Sequence, residues 1–189
     1  MSIYFAVEFD EKTNARLKQK QLLVKQNSTQ GDFVQPETFH ITVLFCVGGD
    51  GGYSRSEYVE LLDEFGRRYK DQLKPFDLKL QNFCQFPGRN DNGNVVWVGV
   101  RDSFPLYEIK DNLEKTIQSM NIKKEKSQHN SYTPHITMAY DCILKDGFNT
   151  LFEEDEPVTI KSLVLWDSFK AGKNGNDAHV YNKVHELFF

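Results

Sequence analysis

The sequence predicts an α+β fold of mainly antiparallel strands, arranged as two similar lobes in one domain spanning residues 1–189. Three observations predict it. Short β-branched and aromatic runs outnumber the segments with helical periodicity. The strands occur in pairs and between helices, not in a strict βαβ alternation. Two near copies, Phe39-His40-Ile41-Thr42-Val43 and Pro134-His135-Ile136-Thr137-Met138, stand about half a chain apart, as two related lobes require.

The elements follow in order. Ile3 to Phe9 is β-prone with partial alternation and reads as a strand. Thr13 to Lys25 reads as a helix whose buried stripe draws on Leu17, Leu22, Leu23 and Val24. Gln26 to Gln35 is polar and reads as a connection. Beyond Pro36, the run Thr38 to Phe45 is a strand. Gly48 to Gly52 reads as a flexible connector, and Ser56 to Leu73 as a helix with Tyr58, Leu61, Leu62, Phe65 and Tyr69 on its core side. Phe76–Phe83 and Val95–Val100 form a strand pair around the Gly/Asn-rich stretch from Pro87 to Asn94. Leu106 to Met120 is helical, Lys123 to Lys126 a solvated basic loop, and His135 to Tyr140 a strand. Thr159–Ser168 and His179–Phe189 close the chain as a strand pair around a turn-rich segment.

Composition narrows the function. With 39% hydrophobic and 13% aromatic residues, this chain of 189 residues has the means to bury a core. A net charge of −4 and a pI near 5.7 exclude an extended phosphate-tracking surface for long duplex nucleic acid, but not a pocket for a small nucleotide or an RNA end. No apolar run approaches the roughly 20 residues of a membrane helix, and the N-terminus lacks the basic start of a secretion signal. Cys46, Cys84 and Cys142 are odd in number and far apart, so they read as structural thiols of a reduced, cytoplasmic setting.

The chemistry lies in the repeated motif. Alternation along a strand sends His40 and Thr42 to one face and Ile41 and Val43 to the other, and does the same for His135 and Thr137 against Ile136 and Met138. Each strand thus anchors through its apolar face and presents an imidazole beside a hydroxyl. Facing one another, the two pairs suit in-line displacement at phosphorus. One histidine takes a proton from the attacking oxygen and the other gives one to the departing oxygen. The threonines bind the non-bridging oxygens. A lone H-x-T is commonplace; two on matching strands are not. His129, His179 and His185 read as packing or surface residues. No H-E-x-x-H or Cys/His ligand cluster and no G-x-S-x-G elbow is present, which disfavours a zinc or serine hydrolase.

These motifs resemble the paired H-x-[ST] signature of the two-histidine (2H) phosphoesterase superfamily. The likeness is to its bacterial RNA 2′,3′-cyclic phosphodiesterase, or 2′-5′ RNA ligase-like, branch. Phe86-Pro87 with Val95 to Val100, and Leu163 to Ser168 with Tyr181 and Leu187-Phe188, are similar to that family's hairpins, so the resemblance covers nearly the whole chain. It implies a bilobal fold of two mainly antiparallel sheets related by a pseudo-two-fold, with helices outside and a central cleft. It further implies catalytic His40, Thr42, His135 and Thr137, no cofactor and no metal, and action on 2′,3′-cyclic, 2′-5′ or 3′-5′ phosphodiesters. In cyclic-phosphate hydrolysis His135 is expected as the base toward water and His40 as the acid, the roles exchanging in the reverse reaction. Tyr140 departs from many RNA-processing relatives, which carry a basic residue there, and suggests stacking on a base or sugar.

Phe45, Phe86, Tyr140 and Trp166, with Trp97, are the aromatics expected near the cleft. Arg89, Lys170 and Lys173 read as solvated loop residues that could rim it. The expected partner is a small nucleotide, a cyclic oligonucleotide or an RNA terminus, bound by a monomer. Three rival functions remain open: a hydrolase of signalling oligonucleotides in immune evasion, a module that sequesters nucleotides without turnover, and an inert two-lobed domain.

Overall fold

In a computed structural model of the chain, residues 2–48, 54–88, 93–122, 131–171 and 178–189 are described. The chain opens with strand β1 (Ser2–Glu8), whose Ile3, Phe5 and Val7 enter the main core while Tyr4 and Ala6 join a second cluster on the opposite face. Helix α1 (Glu11–Gln26) starts where the Asp10 carboxylate accepts a 2.8 Å hydrogen bond from the Thr13 amide. Its buried stripe is Thr13, Leu17, Gln21 and Val24. Leu22 and Leu23 were expected there and are instead exposed. The buried positions fall at intervals of four, four and three residues, which excludes 22 and 23 from the same face. Gln21 earns its buried place because its Nε2 donates to the carbonyls of Val34 (2.6 Å) and Met138 (2.9 Å).

The polar stretch read as a connection contains strand β2 (Ser28–Phe33), which pairs with strand β6 (His135–Leu144). Nothing in Ser-Thr-Gln-Gly-Asp-Phe signals a strand; the backbone hydrogen bonds of β6 recruit it. A 3-10 turn over Pro36–Thr38 leads into β3 (His40–Gly48). Helix α2 (Arg55–Tyr69) buries Tyr58, Leu61, Leu62 and Phe65 as its periodicity predicts. Strands β4 (Phe76–Pro87) and β5 (Asn94–Arg101) form the expected antiparallel pair, and α3 (Phe104–Ser119) buries Leu106, Ile109, Leu113, Thr116 and Ile117.

One predicted strand is two. Thr159–Ser168 breaks at Lys161 into β7 (Val158–Ile160), which pairs with β4, and β8 (Ser162–Ala171), which pairs with β1 and with β9 (Ala178–Phe188). A single run of β-prone residues carries no mark of a change of partner at one lysine.

The strands hydrogen-bond in the order β7-β4-β5-β6-β3-β1-β8-β9, with β2 added on β6, and every pairing is antiparallel. The α+β, antiparallel class therefore holds. Along that path four strands lie on each side of the β6–β3 junction, β2 adding a fifth on the β6 side, and that junction is a single residue pair, Ile41 with Ile136. Because only Lys161 separates β7 from β8, the sheet must curl until its distant strands approach. The Phe189 amide donates to the Lys161 carbonyl at 2.9 Å, and the Phe189 and Phe76 rings stack 6.2 Å apart. Among the described residues no helix is long and apolar enough to cross a membrane.

Candidate active site

The β3–β6 junction positions the two motifs. Ile41 and Ile136 are fully buried and paired, so both strands anchor here through their apolar residues. Antiparallel register through this pair sets His40 opposite Thr137 and Thr42 opposite His135 on the other face. The four side chains are half-buried.

Each imidazole is held in the same way. His40 Nδ1 lies 2.7 Å from the Thr38 carbonyl, and His135 Nδ1 lies 2.7 Å from the Thr133 carbonyl. A carbonyl only accepts, so Nδ1 carries the proton in both rings, and in the neutral imidazole Nε2 is the acceptor nitrogen. Burial pushes the His40 pKa below the ordinary 6.5; the Thr38 carbonyl pulls the other way, and the charge of His135 lowers it further. Near neutrality His40 is therefore a neutral base, and protonation of one ring disfavours protonation of the other.

Aromatic rings frame the pair. On the His40 side, Tyr4 stacks on the imidazole at 5.2 Å, with Trp166 at 6.4 Å and Tyr181 at 6.3 Å. On the His135 side, Phe86 lies edge-on at 5.1 Å and Trp97 at 5.4 Å, the two themselves stacked at 4.7 Å. Gly99 pairs with His135, and a Cβ at Gly99 would meet the Gln81 carbonyl oxygen at 2.9 Å, so the close approach of β4, β5 and the indole needs glycine there. Phe45 and Tyr140 are exposed; Phe45 pairs with Tyr4, and Tyr140 reaches electrostatically to Tyr4 and Tyr181 from the His135 strand.

Of the aromatics expected near the motifs, Phe86, Trp97 and Trp166 contact the imidazoles, Phe45 pairs with Tyr4 across β1 and β3, and Tyr140 lies on the His135 strand. Tyr4 and Tyr181 escaped the site reading of the sequence. The available signal for Tyr4 was alternation in β1, which sets it on the face opposite Ile3 and Phe5. Among the described residues, no three His, Cys, Asp or Glu side chains converge as a metal site. Burial raises the pKa of Cys84 and Cys142, which makes both poor nucleophiles. His185 Nε2 lies 2.9 Å from Asp63, a surface contact. Arg89, Lys173, His129, the basic run from Lys123 to Lys126 and most of the glycine loop lie outside the described residues, as do the side chains of Lys170 and His179.

Known proteins share this fold. The chain is 26% identical over 136 residues to an RNA 2′,3′-cyclic phosphodiesterase of Methanothermobacter thermautotrophicus, covering 71% of this chain and 68% of that protein. Its fold matches the crystal structure of TT0787 of Thermus thermophilus with a TM-score of 0.74 at 18% identity, over 100% of this chain and 97% of the other. E. coli LigT in complex with 3′-AMP matches with a TM-score of 0.71 at 16% identity, over 99% and 97% of the two chains. The model of the AKAP7 2′5′ RNA ligase-like domain matches residues 5–157, a span that takes in both H-x-T motifs. The chain belongs to this AKAP7 2′5′ RNA ligase-like family of the 2H phosphoesterase superfamily.

Proposed function

We propose that this protein is a nucleotide phosphodiesterase in which His40 and His135 perform both proton transfers, acting on a phosphodiester next to a ribose hydroxyl in a small nucleotide or RNA end. The observation that carries the reading is the matched pair of imidazoles, each latched through Nδ1 to a carbonyl two residues earlier and flanked by a threonine across one strand junction. The named activity of the archaeal relative and the 3′-AMP bound by LigT support the substrate class.

The lowered pKa of His40 supports one assignment of roles. Neutral His40 Nε2 takes the proton of a ribose hydroxyl, whose oxygen attacks phosphorus in line. The bond to the departing 5′ oxygen breaks as His135 Nε2–H protonates it, leaving a 2′,3′-cyclic phosphate. Water then replaces the departed group, and the roles exchange. His135 takes its proton, the bond from phosphorus to one ribose oxygen breaks, and His40 returns the proton to that oxygen. Thr42 and Thr137 donate to the non-bridging oxygens as charge grows there. The scheme uses no metal or cofactor, and a partner that only sequesters nucleotide would have no use for a matched acid and base.

Turnover of 2′-5′ and 3′-5′ dinucleotides and of 2′,3′-cyclic nucleotides, with chelator present and products separated by chromatography, tests it. His40→Ala and His135→Ala are each expected to lower turnover about 10²–10⁴-fold while binding largely survives. Full activity in both variants refutes the two-histidine mechanism, and loss to chelator alone refutes its independence of metal. Including cyclic and linear signalling oligonucleotides in the panel decides between an RNA end and a small messenger.

A further inference from the structure

Tyr4 and Trp166 pair across β1 and β8 on the motif-bearing face, and both rings contact His40. They are only 5% and 7% exposed, yet the Tyr4 hydroxyl and the Trp166 Nε1 have no hydrogen-bond partner among the described residues. Burying such donors unpaired is destabilising, so their retention beside the His40 imidazole calls for a use. Tyr181 packs over this cluster, tilted on His40 and edge-on to Trp166.

We propose that Tyr4 and Trp166 form a subsite for the ribose hydroxyl of the ligand, a reading that rests on the proposed phosphodiesterase chemistry. The remaining polar groups are already assigned: the two Nε2 atoms to the in-line oxygens, the threonines to the non-bridging ones. The in-line oxygen on the His40 side is the ribose hydroxyl, whose single proton goes to His40 Nε2 and whose lone pairs remain to be met. A hydroxyl both donates and accepts. It accepts from the indole N–H and from the phenol O–H. The subsite therefore holds the hydroxyl that His40 deprotonates and selects ribose over deoxyribose.

Calorimetric titration with 3′-CMP and with 2′-deoxy-3′-CMP tests this, using the native protein, Tyr4→Phe and Trp166→Phe, each checked by thermal melting. The native protein is expected to favour the ribonucleotide about 10-fold, the worth of one or two net hydrogen bonds. Each variant should bring the two affinities to within about three-fold, through weaker 3′-CMP binding. Equal affinities in the native protein, an undiminished preference in both variants, or binding of inorganic phosphate without either nucleotide overturns the subsite. Turnover of 2′,3′-cyclic CMP reads the activity separately: a native protein with the binding preference and no turnover would refute the phosphodiesterase and leave the subsite standing.

Discussion

Replacing Gln21 tests how the His135 strand is held. The Gln21 amide bridges two carbonyls from inside helix α1, that of Val34 ahead of the 3-10 turn and that of Met138 next to Thr137. Gln21→Ala removes two hydrogen bonds worth about 1 kcal/mol each, and truncating a buried side chain adds about another 1 kcal/mol for lost packing. The Met138 carbonyl keeps its bond from the Val34 amide at 3.1 Å, so the penalty of an orphaned acceptor falls on Val34 alone. The expected loss is about 3 kcal/mol, or roughly 6–12 °C in Tm for a chain of this size. Gln21→Met fills the volume without the donors and should lose about 2 kcal/mol. Urea unfolding at fixed pH, with the m-value checked for constancy, measures both. A methionine variant as stable as the native protein refutes the hydrogen-bond bridge, and an alanine variant that loses less than about 1 kcal/mol refutes the packing as well.

Two further outcomes follow from charge. The His40 pKa lies below its unfolded value, so the unfolded chain binds the extra proton first. The stability that neutral His40 contributes is present above pH 6.5 and is lost as pH falls from there through the folded value. Proton NMR of the ring should give a His40 midpoint below 6.5, and a midpoint above it contradicts the buried-base assignment. Elsewhere, Glu154 anchors the acidic segment ahead of β7 to Arg16 at 3.3 Å and to Lys20 at 2.5 Å on α1, all three groups mostly shielded from water. Glu154→Gln should lower stability by about 1 kcal/mol at low salt and by much less in 1 M NaCl. A loss unchanged by salt would point to packing in place of ion pairing.

The site was legible where chemistry and local periodicity coincide. His40 with Thr42 and His135 with Thr137 share a face because strand alternation demands it, and the apolar partners Ile41 and Ile136 declare the buried side without any tertiary information. The latch on each ring was also present in the sequence as T-x-H-I-T, since Thr38 and Thr133 both stand two residues before their histidines. What the pattern lacks is any sign that a backbone carbonyl, with no side-chain signature, fixes the tautomer. Tyr4, Tyr181 and Gln21 were hidden for a related reason. A tyrosine in a β-prone strand looks the same whether it faces core or cleft, and a glutamine in a polar helix looks solvated until two carbonyls from distant segments arrive to meet it. The misread segments, β2 and the break at Lys161, are likewise set by partners remote in sequence. Edge pairing follows whichever hydrogen-bonding edge is left open, and that edge exists only after β6 and β4 are in place. Local periodicity therefore locates the two histidines, whereas the groups that surround them are chosen by long-range pairing.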